Sequence, residues 1–165
     1  MLLSVTMLIL GMSVVRAQSP NVAAVNLDRI LRESVPAKAS QSKLEAEFAT
    51  RDKELREMAQ RLKDMSDLLD KDGQSLTASG REQKQRELFR LDTNFQRQRQ
   101  KFRDDLDRRR NDELAGVLAK TNNAIKQIAE QQHYVLLVQE AVYVSPRIDI
   151  TDQVLKALAS TEDRN

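Results

Sequence analysis

The stretch YVLLVQEAVYVSPRIDITDQVLKAL, residues 134–158, has a different composition from the chain that precedes it. Residues 38–132 consist mostly of charged side chains, Gln, Ala and Leu, whereas β-branched and aromatic residues crowd together at 134–144. Such residues favour strands, so the pattern predicts two short strands at 134–138 and 141–144. A long polar segment therefore ends in a unit that contains β-structure.

A terminal helix is predicted after Pro146, within the sequence DITDQVLKAL at residues 149–158. Asp149 or Thr151 can cap this helix, because both residue types accept hydrogen bonds from the free N–H groups of a first turn. Apolar residues then fall on one face of the helix, namely Ile150, Val154, Leu155 and Leu158. This face predicts that the helix packs against the strands.

The other end of the chain offers a third strand, NVAAVNL at residues 21–27, followed by a short helix, DRILRES at residues 28–34, before Pro36. If the segment between the two ends is a helical hairpin, it returns the chain to its starting point. The strands at 22–27, 134–138 and 141–144 can then share one sheet.

A long helix is predicted from about Ala37, because its apolar residues alternate at spacings of three and four. Such a heptad pattern is typical of a coiled-coil seam. One seam position is occupied by Arg51 rather than by an apolar residue. The other seam residues are Leu44, Phe48, Leu55, Met58, Leu62, Met65 and Leu69.

The chain is predicted to reverse at residues 70–80, where DKDGQSLTASG supplies a helix stop, a turn and a new N-cap. A second helix is then expected from about Arg81 to Gln132. Its first half keeps the heptad rhythm at Leu88, Leu91, Phe95 and Phe102. Its second half follows a stripe closer to 3.6 residues per turn, at Leu106, Leu114, Val117, Ala124, Ile125 and Ile128.

These patterns predict an α+β fold that is mainly α. Residues 1–17 have an apolar run that ends in Val-Arg-Ala, which indicates a signal peptide cleaved after Ala17. A coiled-coil hairpin arm at 37–132 is inserted into a small head made of 18–36 and 133–165. Three short strands bury little apolar area, so the head is expected to oligomerise. The candidate contact residues are Val22, Val25, Val135, Leu137, Val142 and Val144.

The order of these segments resembles the Skp/OmpH family of periplasmic chaperones for outer-membrane proteins. The resemblance covers essentially the whole chain after the signal peptide. It is most specific at Ala24-Val25-Asn26 after the first strand, at the tyrosine-led strand pair and at DITDQVLKAL. It implies a homotrimer with a central β-barrel body and three helical arms that enclose a cavity for unfolded clients. It also implies ATP-independent holdase activity in the periplasm, which keeps clients soluble for membrane insertion.

Charge is unevenly distributed along the arm. Residues 81–110 contain 11 basic and 6 acidic side chains. This excess can attract acidic unfolded chains, or anionic lipid or lipopolysaccharide, and salt should weaken the attraction. The alternative is a solvated helix face with pairs such as Glu82 with Arg86. The candidate client-binding cations are Arg97, Arg99, Lys101 and Arg103.

Met58 and Met65 are a second set of client-binding candidates, because flexible thioethers can contact many different sequences. The alternative places both methionines in the arm's own seam.

Enzyme chemistry and cofactors are not expected. Cysteine is absent, His133 is the only histidine, and adjacent carboxylates such as Asp104 and Asp105 point to different sides of a helix. Phosphate-binding and dinucleotide-binding motifs are also absent from the sequence. Nucleic acid is an unfavourable partner, because acidic residues and few aromatics accompany the basic helix. An envelope coiled-coil scaffold remains the alternative function.

Overall fold

The structure is a computed structural model that describes residues 21–72 and 75–162. Within these residues the elements are β1 (Val22–Ala24), α1 (Leu27–Glu33), α2 (Val35–Asp72), α3 (Ala78–Gln132), β2 (Leu136–Val138) and α4 (Thr151–Glu162). The predicted signal peptide lies outside the described residues. The chain is thus a small head with a long helical hairpin, which confirms the predicted fold class.

The two ends of the chain meet in a parallel sheet. β1 pairs with β2 in the register Val22 to Leu136, Ala23 to Leu137 and Ala24 to Val138. Parallel strands cannot be joined by a tight turn and need a crossover connection. In this chain the crossover consists of α1 and the hairpin of α2 and α3, so the arm leaves the head and returns to it.

The predicted strand at 141–144 is wrong for the single chain. Among the described residues, the other side of β1 is occupied by the segment before α4, where Ala24 N–H donates to Ile148 O at 2.8 Å and Ile150 N–H donates to Ala24 O at 2.9 Å. Segment 141–144 passes outside this ladder, with Val142 and Tyr143 exposed. A strand needs a hydrogen-bonding neighbour, and within residues 21–72 and 75–162 this segment meets none that would complete a ladder.

Side-chain caps define the turns of the head. Asn26 Oδ1 accepts a hydrogen bond from Arg29 N–H at 2.8 Å and begins α1. Ser34 ends α1 and also caps α2, because its hydroxyl oxygen accepts from Ala37 N–H at 3.4 Å. Pro36 fits this first turn of α2 because a helix leaves its first N–H groups without intrahelical partners.

The arm is longer than a compact domain is wide. α2 has 38 residues and α3 has 55, which at 1.5 Å per residue gives about 57 and about 82 Å. α3 begins at Ala78, earlier than the expected start at Arg81, because Thr77 Oγ1 accepts from Gly80 N–H at 3.2 Å and caps the helix. It ends at His133, which has a left-handed backbone with φ 57°.

The head core lies between the sheet and three helices. Asp149, one of the two predicted caps of α4, accepts a hydrogen bond from Thr151 N–H at its Oδ1 at 2.9 Å, and it therefore caps this helix. The Thr151 hydroxyl and N–H bonds lower the pKa of Asp149 from its ordinary value. The buried cluster contains Ala23, Val25, Ile30, Ala124, Ile125, Ile150, Val154 and Leu158. The predicted face of α4 is confirmed, and the last turns of α3 contribute to the same core.

The coiled-coil seam of α2 is confirmed, including the position of Arg51. Every predicted seam residue from Leu44 to Leu69 is buried or half-buried, and Arg51 is half-buried among them. In α3 the predicted stripe fails at Leu114, which is exposed. Glu113 lies toward α2 in its place, because Lys43 and Ser40 on α2 offer hydrogen-bond donors there.

None of the helices in the described part of the chain has a stretch that is both long and apolar enough to span a membrane.

We expect Ile30→Ala to lower the free energy of unfolding of the head by about 2–5 kcal/mol, because Ile30 is fully buried and its loss leaves a cavity. Urea unfolding followed by far-UV circular dichroism measures the change. Leu114→Ala is the control, since that leucine is exposed on α3, and it should cost less than about 1 kcal/mol. Equal losses in the two variants would contradict the assignment of the core.

Candidate functional site

Aromatic and cationic side chains lock the two arm helices together close to the head. The rings of Phe48 on α2 and Phe102 on α3 meet edge to face, with their centroids 5.5 Å apart. The guanidinium carbon of Arg51 lies 5.4 Å from the centroid of Phe48 and 5.6 Å from that of Phe102. Arg51 therefore takes a seam position because both its neighbours are aromatic faces that attract a cation.

Asp105 on α3 completes this junction. Arg51 Nη2 lies 3.0 Å from Asp105 Oδ2 across the seam, and Lys101 Nζ lies 3.3 Å from the same oxygen. Arg108 contacts the other carboxylate oxygen. The hydrogen bond from Lys101, followed by that from Arg51, lowers the pKa of Asp105 despite partial desolvation.

Glu113 forms a second polar bridge nearer the head. Its carboxylate accepts hydrogen bonds from Lys43 Nζ at 2.7 Å and Ser40 Oγ at 3.0 Å, both on α2. Arg109 Nη2 donates to the same carboxylate at 3.0 Å and to Glu47 on α2 at 3.1 Å. The bonds from Lys43 and Ser40 lower the pKa of Glu113, whose side chain is only 15% exposed. Charged side chains thus join the two arm helices near the head.

The two methionine candidates lie in the seam of the outer arm. Asn94 Nδ2 on α3 donates to Met58 Sδ at 3.8 Å. Met65 lines an open groove with Leu68 of α2 and Leu91 of α3. Both methionines are half-buried. Their thioethers therefore pack between the helices while one edge of Met65 reaches the groove.

Two of the four cationic candidates contact polar neighbours on their own helix. Arg97 Nη2 donates to Asn94 Oδ1 at 3.0 Å, and Lys101 pairs with Asp105.

Of the other two cationic candidates, one lies beside an aromatic ring and the other is exposed. Arg99 places its guanidinium carbon 5.6 Å from the centroid of the Phe95 ring, and Arg103 is exposed one turn further along α3. The structure therefore divides the four cations into two pairs with different surroundings.

Apolar grooves open along the arm because two helices cover only part of each other. A groove of about 600 Å³ near the head has Leu44, Phe48, Phe102 and Leu106 along its floor. A groove of about 530 Å³ further out contains Leu62, Leu88 and Phe89.

Sequence reasoning missed Phe89, which is 73% exposed. Leu88 is a seam residue, so Phe89, one residue later, lies outside the seam. The heptad pattern of the sequence was therefore sufficient to predict that Phe89 is exposed.

The six predicted oligomerisation residues fall into two groups. Val25 is buried in the head's own core, Leu137 packs against that core, and Val22 and Val144 are half-buried. Val135 and Val142 are exposed.

Sequence reasoning missed two further exposed apolar residues in the same part of the head, Leu136 and Tyr143. Alternation along a strand places Leu136 on the opposite face from Val135 and Leu137, so the sequence offered no reason to expect Leu136 to be exposed together with Val135. The observed strand is short, with only three residues.

Within the described ranges 21–72 and 75–162, no cluster of three or more His, Cys, Asp or Glu side chains has the arrangement of a metal site.

Comparisons with known proteins agree on one family. A family model described as outer membrane protein (OmpH-like) matches residues 21–158. The chain is 29% identical to the chaperone protein Skp of Yersinia enterocolitica, over 84% of this chain and 86% of that protein. It is 28% identical to the chaperone protein Skp of Pectobacterium atrosepticum, over 90% and 92%.

A solved structure shares the fold. The crystal structure of an OmpH-like outer membrane chaperone from Caulobacter crescentus superimposes with a TM-score of 0.72 at 23% identity, over 87% of this chain and 86% of that one.

We expect Glu113→Gln to make the stability of the arm less dependent on pH. The pKa of Glu113 is lowered in the folded chain, so its stabilising contribution is present above its unfolded pKa and is lost as the pH falls through the folded one. Thermal unfolding of the wild type, followed by circular dichroism between about pH 5 and about pH 3, should therefore show a steeper loss than that of the variant.

Glu82→Gln is the matched control, because Glu82 forms only an exposed pair with Arg86 on the same helix among its described contacts. This control should keep the pH slope of the wild type. An unchanged slope in Glu113→Gln would contradict the bridging role of the Glu113 carboxylate.

Proposed function

Because the chain belongs to the family of OmpH-like outer membrane proteins, we propose that it is a periplasmic chaperone that keeps unfolded outer-membrane proteins soluble without using ATP. The observation that carries this proposal is the long two-helix arm, which has apolar grooves open to solvent both near the head and further out. The similarity to proteins named chaperone protein Skp supports it. Export to the periplasm rests on the signal peptide that the sequence predicts.

The arm suits a client that has no fixed shape. Its grooves are shallow, and each can cover only part of an apolar segment. Many weak contacts that form and break independently can hold an unfolded chain without selecting one conformation. Release then requires only that folding or membrane insertion of the client compete with these contacts, so no nucleotide is needed.

The head supports assembly into a homo-oligomer, which the resemblance implies is a trimer. Val135, Leu136, Val142 and Tyr143 are exposed, and β2 has a neighbour on only one side among the described residues. An unpaired strand edge with apolar side chains tends to pair with another chain. Segment 141–144 of a neighbouring copy is a suitable partner, since it pairs with no strand in the part of its own chain that the structure describes.

The basic excess on α3 gives anionic lipid or lipopolysaccharide as a further proposed partner, with a salt-sensitive contribution. An envelope scaffold is the alternative function. A scaffold would use the arm seam to bind a fixed partner, whereas a chaperone leaves the arm grooves open for changing clients.

Val142→Asp should dissociate the assembly, because a charge would be buried if copies meet at this surface. The side chain is fully exposed within the chain, so the fold of each copy should survive. Sedimentation velocity gives the mass, and far-UV circular dichroism checks the helical content. Leu68→Asp on the outer arm adds the same charge and should keep the wild-type mass. Retention of that mass by Val142→Asp would refute the proposed contact.

Removal of one heptad from each arm helix should abolish much of the chaperone activity. Since Met58 faces Asn94, deletion of 60–66 together with 86–92 removes facing segments and keeps the seam in phase. The head remains intact while the wall that contacts the client becomes shorter. Light scattering after dilution of a urea-unfolded outer-membrane β-barrel protein measures the suppression of aggregation.

Lys84→Ala serves as the control for this assay, because it changes the arm surface without shortening it. It should suppress aggregation as the wild type does. If the shortened protein keeps its oligomeric mass and also suppresses aggregation fully, the arm is not the binding element and the scaffold becomes the better proposal.

A further inference from the structure

The two sides of the arm seam differ in chemistry. We call one side the ion-pair side; it is defined by Lys43 and Glu47 of α2 and by Lys101, Asp105 and Arg108 of α3. Cross-helix and local ion pairs cover it near the head. Its charged groups are mostly engaged with one another near the head, and its outer part holds the groove of Met65, Leu68 and Leu91.

The opposite side, which we call the aromatic side, holds both the groove near the head and the groove that contains Phe89. On α2, whose seam keeps the heptad pattern along its length, the residues that line these grooves repeat at intervals of seven. One series contains Glu45, Asp52 and Ser66, and another contains Ala49, Arg56 and Lys63. Residues at heptad spacing lie on the same side of a coiled-coil helix, so the two grooves lie on one side of the arm.

The same heptad spacing assigns the candidate cations of α3 to the two sides of the arm. Arg99 follows Gln85 and Asp92 of the outer groove by multiples of seven, and Arg103 follows Phe89 of that groove by fourteen positions. These two cations therefore lie on the aromatic side, between its two grooves.

Lys101 belongs to the ion-pair side by definition, and Arg97 lies there too because it donates to Asn94, which is one heptad before Lys101. They already contact Asn94 and Asp105.

Phenylalanine is concentrated on the aromatic side. Phe48 and Phe102 line the groove near the head, Phe89 lines the outer groove, and Phe95 lies under Arg99 between them. All four phenylalanines thus contribute to this side, and Phe102, as a seam residue, also lines a small cavity with Arg51 and Met58 on the other side. Aromatic rings supply large contact areas, and the ring of Phe89 is largely bare.

The spacing of the grooves suits an extended polypeptide. Phe89 and Leu106 are 17 positions apart on α3, which corresponds to about 25 Å along the helix axis. An extended chain of about eight residues covers this distance. Such a segment could place one apolar side chain in each groove and a carboxylate against Arg99 or Arg103 between them.

We propose that the aromatic side of the arm is the client-contacting side, and that its occupant is an extended, unfolded polypeptide with apolar or aromatic side chains next to carboxylates. This inference rests on the proposed chaperone function and specifies the site of that function. Charge complementarity favours this occupant, because Arg99 and Arg103 flank apolar grooves whose own rims carry balanced charges: Glu45 and Asp52 against Arg56 and Arg110 near the head, and Lys63 against Asp92 further out.

Matched variants on the two sides test the proposal. Phe89→Gln removes an exposed apolar side chain from the aromatic side, and Leu68→Gln removes one, 40% exposed, from the other side at a similar distance from the tip. We expect Phe89→Gln to raise by about threefold or more the protein concentration that halves client aggregation, because a phenylalanine contact is lost. Leu68→Gln should leave that concentration within about 1.5-fold of the wild type.

A second matched pair tests the cations. Arg99→Gln with Arg103→Gln should weaken capture about threefold at low salt and less at high salt, because screening already reduces the attraction there. Arg97→Gln with Lys101→Gln removes the same charge from the ion-pair side and should have a smaller effect. Equal weakening by the two double variants would overturn the proposal, since long-range attraction by net charge alone would explain it.

Direct contact can be mapped because the chain has no cysteine. Phe89→Cys and Leu68→Cys can each carry one thiol-linked benzophenone, which crosslinks to whatever lies against it on irradiation. We expect a crosslink from position 89 to a urea-diluted outer-membrane β-barrel protein and little from position 68. A crosslink from position 89 to another copy of this chain would overturn the proposal and identify the surface as an interface between copies.

The outcomes separate this inference from the function on which it rests. If the wild type suppresses aggregation and the variants on both sides behave alike, the aromatic side is refuted and the chaperone function stands. If the wild type itself fails to suppress aggregation, the proposed function fails, and the assignment of a client-contacting side fails with it.

Discussion

The parallel pairing of β1 with β2 is the constraint on which the rest of the molecule depends. Parallel strands require a connection that leaves the sheet and returns in the same direction. In this chain that connection contains α1 and the whole hairpin, so both helices of the arm are fixed in the head at their bases. Each strand has only three residues, and the packing of Ile30, Val154 and Leu158 therefore stabilises the head more than the sheet does.

The seam changes character along the arm. Near the head, α2 and α3 are joined by charge-assisted hydrogen bonds through Glu113 and Asp105, with Arg51 between two aromatic rings. Further out, Met58 and Met65 and the leucines around them replace these bonds. Hydrogen bonds fix direction and distance, whereas apolar contacts between flexible side chains do not. The base of the arm is therefore more closely defined in geometry than its outer part.

Local patterns predicted the helices well, because heptad spacing depends only on neighbouring turns of one chain. That rule even placed Arg51 in the seam. The 3.6-residue stripe predicted for the second half of α3 failed at Leu114, because the donors on α2 that bond Glu113 belong to a different part of the sequence. The strand at 141–144 failed for a related reason, since a strand exists only where a partner backbone is present. For the candidate site, Phe89 and the side of Arg99 and Arg103 were recoverable from heptad positions, while the partners of Arg97 and Lys101 required the observed contacts.

Each helix of a two-helix hairpin covers only one stripe of its partner, so the rest of both helix surfaces must be exposed to water. On the part of the ion-pair side near the head this exposure costs little, because charged groups are well solvated and also pair with one another. On the aromatic side it leaves the ring of Phe89 in water, which is unfavourable without a partner. A client carboxylate that approached the ion-pair side would have to compete with Asp105 for Lys101 and Arg108. The same client approaching the aromatic side covers bare apolar surface and meets Arg99 and Arg103 without such competition from Asp105, so the balance of these interactions favours binding there.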